Sequence, residues 1–224
     1  MYYDLTKILS YNAFLNFIVG GRGVGKTYNT SKFVINQFIK KGYEFVYIRR
    51  YKSDLKKSLP TFFKSMITKD EFNGHTLETK GDLFIVDNKV AGYGITLTMA
   101  QSLKSSNYPN VKYIIFDEFI LENDGHKHYL QNEVEVFLGL VETIARMRDV
   151  KIFMLGNAVT IANPYFIFFD ILEPYNSDIK TYQDLKNLSN SSINTISDKF
   201  IDIVCKRKVE KESIEEKVVD GESK

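Results

Sequence analysis

The segment Gly20-Gly21-Arg22-Gly23-Val24-Gly25-Lys26-Thr27 constrains the fold of this chain more than any other. It fits G-x-x-x-x-G-K-[ST], a loop whose backbone amides cradle phosphate oxygens. Residues 14–19, just before it, form an apolar run that reads as a buried strand. After it, Phe33, Val34, Gln37 and Phe38 fall on one helical face. Glycines let the backbone turn tightly with several N–H groups aimed inward. The positive end of the following helix adds to that attraction for anions. Gly20 through Thr27 are thus the expected nucleotide site, with ATP and Mg²⁺ as cofactors. Lys26 would reach the β- and γ-phosphates and Thr27 would help hold the metal. Arg22 would contact phosphate or a neighbouring carboxylate.

A strand–loop–helix start sets the pattern for the rest. Residues 43–48 read as a second strand, rich in β-branched and aromatic residues. Residues 76–98 alternate in short runs broken by Gly81-Asp82, Asp87-Asn88 and Gly92, the mark of a β-meander or hairpin set. Residues 111–116 are a third strand, ending at Asp117-Glu118, and 150–155 a fourth, ending at Gly156-Asn157. Between them, residues 130–147 carry helical periodicity through Val134, Phe137, Leu138, Val141, Ile144 and Ala145. Strands alternating with helices predict an α/β P-loop NTPase of the ASCE type, a mostly parallel sheet flanked by helices. The expected organisation is an ATPase domain over 1–174, a small linker or lid region over 175–205, and a charged tail over 206–224.

Composition narrows the setting. With 224 residues there is room for one ordinary α/β domain and a small appendage. A net charge of +2 means that nucleic-acid binding would need a local patch. The single cysteine, Cys205, excludes an internal disulfide framework. Residues 1–10 lack the apolar core of a signal peptide, and residues 165–172 are too short to span a bilayer and include Asp170. A soluble intracellular protein with no membrane partner is expected.

The acid pair supplies the chemistry. A strand of apolar residues delivers Asp117 beside the loop, where a carboxylate would hold Mg²⁺ near Thr27. Glu118 would polarise a water for attack on the γ-phosphate. No N-K-x-D guanine signature occurs. Asn157, at the ligand-facing end of a parallel strand, would sense the γ-phosphate or hold the water, unless it merely forms a turn after Gly156. Arg146 and Arg148 close the long helix; they either offset its dipole or provide an arginine finger to a neighbouring subunit, Arg146 being favoured. Arg49, Arg50, Lys52, Lys56, Lys57 and Lys104 could grip a phosphate backbone, with a solvated basic loop as the alternative. His126 and His128 flank a lysine without metal-ligand spacing and read as surface residues.

These motifs together resemble the packaging ATPases of phi29-type tailed phages. The resemblance lies in the arginine-bearing P-loop and in Phe45-Val46-Tyr47-Ile48-Arg49-Arg50-Tyr51-Lys52. It also lies in Tyr108-Pro109-Asn110-Val111, Phe116-Asp117-Glu118-Phe119-Ile120, Asn157-Ala158-Val159 and Asn163-Pro164-Tyr165-Phe166. It covers residues 8–172. It implies a homomeric ring, pentameric in the phi29 type, that docks on the portal of a prohead in the host cytoplasm and threads double-stranded DNA inward. It implies P-loop roles for Lys26 and Thr27, metal and catalytic roles for Asp117 and Glu118, and a trans-acting role for Arg146. A structural RNA serves the phi29-type motor and is a further expected partner. Relatives carry a second, nuclease-like domain; this sequence is expected to lack it, either as an excised ATPase domain or as a naturally short relative. The competing expectations are another P-loop nucleic-acid motor, helicase-like or of the secretion type, and a nucleotide-dependent assembly module with little turnover.

Overall fold

The structure is a computed structural model that describes residues 5–122, 125–160, 163–169 and 171. The chain divides after Phe168, and every described helix and strand belongs to the first unit. The expected linker and tail, and Cys205 with them, lie outside the described residues.

A short helix, α1 (Leu5–Ser10), leads into β1 (Leu15–Gly20), the P-loop and α2 (Lys26–Lys41). Then come β2 (Glu44–Arg49), α3 (Lys52–Phe62), α4 (Lys64–Thr68), and three strands, β3 (Leu77–Lys80), β4 (Leu83–Val86) and β5 (Lys89–Thr96). A 3-10 segment (Leu97–Leu103) precedes β6 (Val111–Asp117), α5 (Glu133–Ala145), β7 (Lys151–Asn157) and α6 (Pro164–Phe168).

All seven strands join one sheet in the order β1-β7-β6-β2-β5-β4-β3. The first five in that order pair parallel, and β4 and β3 add antiparallel. The alternation read over residues 76–98 is the β3-β4-β5 meander. Its last strand also pairs parallel with β2, so the meander extends the main sheet. β7 stands between the P-loop strand and the strand of the acid pair, so Gly20 lies level with Asn157 and Asp117 with Leu155. The carboxyl ends of β1, β7 and β6 thereby meet on one edge.

The parallel strands are apolar throughout because both of their faces are covered. On one face Tyr113 and Ile115 of β6, Phe153 and Leu155 of β7, and Tyr47 of β2 pack with Val34 and Ile35 of α2. On the other, Phe116 stacks on Phe137 of α5 at a centroid separation of 5.3 Å. Tyr165 of α6 meets Phe116, Phe119 and Phe137 there. The basic stretch around Pro60, which reads from the sequence as either a phosphate grip or a solvated loop, folds as α3 and α4. Leu55, Leu59 and Phe62 recur at helical spacing and bury one side of α3, and Pro60 falls in its last turn, near where the helix ends anyway.

Candidate nucleotide site

Gly23 and Gly25 adopt φ of 81° and 83°, values that a side chain strongly disfavours. A Cβ on Gly23 would point into open space, so it is the backbone angle that calls for glycine there. Gly25 is the residue before α2, and no side chain caps that helix end. The first amides of α2 therefore remain for a ligand, the arrangement that binds phosphate. The loop fits a nucleotide's phosphates on that ground.

Lys26 is buried and all three of its donors are engaged. Its Nζ donates to the Gly20 and Gly21 carbonyls at 2.9 and 2.7 Å and to Asn157 Oδ1 at 3.1 Å. Burial holds its pKa below the ordinary lysine value, and nearby Asp117 partly opposes that. The amide of Asn157 donates to Glu122 Oε1 at 2.8 Å, and Glu122 in turn pairs with Arg22 at 2.6 Å. Arg22 thus finds a carboxylate within its own chain. Glu122 is a member of this network that no sequence motif singles out.

On the metal side, Thr27 Oγ1 donates to Asp117 Oδ1 at 3.1 Å. Asp117 Oδ2 accepts from Tyr47 Oη at 2.8 Å and from Arg49 at 3.2 Å. Burial pushes the Asp117 carboxyl above the usual range, while Arg49, Tyr47 and Thr27 pull it back. A hydroxyl beside a carboxylate is the hard-oxygen donor set that suits Mg²⁺ completed by water and phosphate oxygens, so the residues fit that ion. Glu118 comes next in a left-handed conformation, φ 57°. Its carboxylate is 53% exposed and lies 2.5 Å from the guanidinium of Arg49. Burial disfavours the charge of Arg49, but Tyr47, Asp117 and Glu118 more than offset this and hold its pKa above the ordinary value. A cleft of about 510 Å³ opens from Thr27, Asp117 and Glu118 toward Lys57 and Ser58 of α3.

Burial corrects the expected DNA grip. Arg49 and Arg50 are only 6% and 2% exposed. Arg49 is committed to Asp117 and Glu118, and Arg50 to Glu133. Neither offers its charge to a duplex. Lys52, Lys56, Lys57 and Lys104 are exposed. A sequence cannot distinguish a cation paired beneath the surface from one displayed on it.

Arg146 and Arg148 do not reach this edge. β6 and β7 are parallel, so the intervening α5 runs back across the sheet and sets its C-terminus at the amino edge. Arg148 donates to the carbonyls of Pro109 and Ile144 there. Arg146 is exposed and makes a longer contact with the Ser106 carbonyl, 3.3 Å. Of the two, Arg146 is the freer to engage another molecule. His126 and His128 are exposed, and among the described residues no group of three or more His, Cys, Asp or Glu side chains could hold a metal. Among those residues, too, no helix is long and apolar enough to cross a membrane.

The chain is similar to known proteins in sequence and in fold. The profile of the family described as podovirus DNA encapsidation protein (Gp16) matches residues 1–215. The DNA packaging protein of Bacillus phage phi29 is 44% identical over 185 residues, 82% of this chain and 54% of the relative. The chain therefore spans about half the length of the curated relatives it matches. The crystal structure of the N-terminal domain of the DNA packaging ATPase from bacteriophage phi29 superposes with a TM-score of 0.71 at 44% identity, covering 82% of this chain and 93% of that one. The large terminase ATPase domain of Thermus phage P74-26 shares the fold at a TM-score of 0.50 and 14% identity, over 80% of this chain and 72% of that one.

Proposed function

This chain belongs to the podovirus DNA encapsidation protein (Gp16) family, and from that premise we propose that it hydrolyses ATP to drive double-stranded DNA into a viral prohead. It works as a homomeric ring on the portal, in the host cytoplasm. A pentamer and a structural RNA follow from the likeness to the phi29 type. The observation that carries the hydrolytic part is the Thr27–Asp117 contact at 3.1 Å, with Glu118 next in the chain. It supports a metal position and a catalytic acid beside one phosphate-binding loop.

The P-loop amides and Lys26 bind the phosphates. Thr27 and Asp117 would hold Mg²⁺, which when bound neutralises charge on the phosphate oxygens. Phosphate oxygens can take the place of the Gly20, Gly21 and Asn157 oxygens that now surround the Lys26 ammonium. Glu118 accepts the proton of the attacking water at its carboxylate, and for this the carboxylate must leave Arg49. Asn157 lies beside Lys26, where its amide can orient that water or contact the γ-phosphate. Arg146 completes the site of a neighbouring subunit. Lys52, Lys56 and Lys57 on α3, and Lys104, are the surface cations for the DNA backbone.

Glu118→Gln keeps the shape of the side chain and removes the base. ATP turnover, measured with DNA and proheads present, should fall about 100-fold or more while ATP still binds. Equal inactivity of wild type and variant under those conditions would favour the assembly-module reading instead.

A further inference from the structure

Glu118 sits in the left-handed region without being glycine. Such a residue keeps that conformation only when its surroundings hold it there. Arg50 is the holding group. It donates from Nη1 to the carbonyl of Glu118 at 3.1 Å and from Nη2 to that of Phe119 at 2.7 Å. The guanidinium also grips Glu133, with Nε to Oε2 at 2.7 Å and Nη2 to Oε1 at 2.8 Å. Glu133 is fixed in turn by the Leu130 amide and the Tyr165 hydroxyl, both at 2.8 Å. The Tyr129 ring lies 4.9 Å from the guanidinium carbon. Arg50 and Glu133 are both 2% exposed.

We propose that Arg50, locked by Glu133, is a positioning residue that fixes the peptide of Glu118 and so aims its carboxylate at the water. This rests on the reading of Glu118 as the acid that activates water. Arg49 and Arg50 then divide the work. Arg49 holds the Glu118 carboxylate until it turns to the water, and Arg50 keeps hold of the backbone from which that carboxylate projects. Only a planar fork can bond two successive carbonyls along one side and a carboxylate along the other. Lysine keeps the charge but cannot span those acceptors.

The test measures kcat, KM and affinity for a fluorescent ATP analogue in Arg50→Lys and Glu133→Gln, using the whole chain. Amide hydrogen exchange of residues 118–121 is compared with that of residues 137–144 in α5. We expect kcat to fall roughly 10-fold or more, with KM and ATP affinity within about twofold of wild type. Exchange should quicken at residues 118–121 and stay unchanged in α5. Unchanged kcat overturns the proposal. So does a loss of ATP affinity and of α5 protection in step with kcat, because that marks a purely structural pair.

Should both variants fail to fold, Tyr165→Phe removes a single donor from Glu133 and keeps the ring. It should lower kcat about two- to fivefold at unchanged ATP affinity, and a wild-type kcat there overturns the proposal. Glu118→Gln in the same assay separates the two ideas. If it abolishes turnover while Arg50→Lys does not, only the positioning role fails. If it turns over like wild type, the premise fails and this inference with it.

Discussion

Lys26 commits each of its three donors to oxygens of its own protein. Burial works against its charge, and the three hydrogen bonds make up part of the lost hydration; the phosphate oxygens of a bound nucleotide would take over the same donors. The loop around it depends on backbone angles more than on contacts. At Gly25, φ is 83°, so Gly25→Ala should cost about 1–2 kcal/mol of stability from the left-handed strain alone. The misplaced amides at the start of α2 should lower ATP affinity about tenfold or more. Denaturant unfolding and nucleotide titration check the two parts separately. Lys26, Thr27, Asp117 and Glu118 were legible in the sequence because each lies within a short pattern whose spacing is set by local chemistry. The roles of Tyr47, Arg49, Arg50, Glu122 and Glu133 were not, because their partners are far along the chain and meet them only through the sheet.

Among the elements, α2 has a tether from outside the sheet. Glu71, in the turn after α4, accepts from the Tyr28 hydroxyl at 2.5 Å and pairs with Lys32. Those two partners, Lys32 first, depress the Glu71 carboxyl below its ordinary value. A carboxylate depressed in the folded state stabilises at pH above its unfolded value and loses that effect as pH falls through the folded one. Wild type should therefore exceed Glu71→Gln in thermal midpoint at pH 7, by a surface pair's worth of under about 1 kcal/mol. The gap should close as pH drops below about 4, and parallel melts across that range will measure it. The same region was the least legible part of the fold. Leu55, Leu59 and Phe62 carry the helical spacing of α3, but Lys56, Lys57 and Pro60 between them gave the stretch the look of a loop. β5 was readable as a strand, whereas its parallel pairing with β2 was not, because a hairpin pattern specifies its own partner and leaves the other edge open.

Across the whole molecule, the sheet order sets Arg146 apart from the P-loop of its own copy. The P-loop, the acid pair and Asn157 converge on the carboxyl edge because β7 lies between β1 and β6. Arg146 is carried to the amino edge by α5. An Arg146→Ala subunit should thus keep a sound P-loop yet fail to complete its neighbour's site. Mixing it with Glu118→Gln subunits, each inactive alone, should restore part of the ATPase activity wherever an Arg146 from one meets a Glu118 from the other. Steady-state hydrolysis across a range of mixing ratios checks this, and a flat zero at every ratio would count against action between subunits.

The direction of α5 has an arithmetic consequence. If every subunit lends its arginine in one direction and receives one from the other side, an open arc of n copies holds n − 1 complete sites, and closing it adds the last. Assembly intermediates would then be distinguishable by turnover per copy, which climbs as the arc lengthens and reaches its ceiling only when no terminal copy is left without a donor.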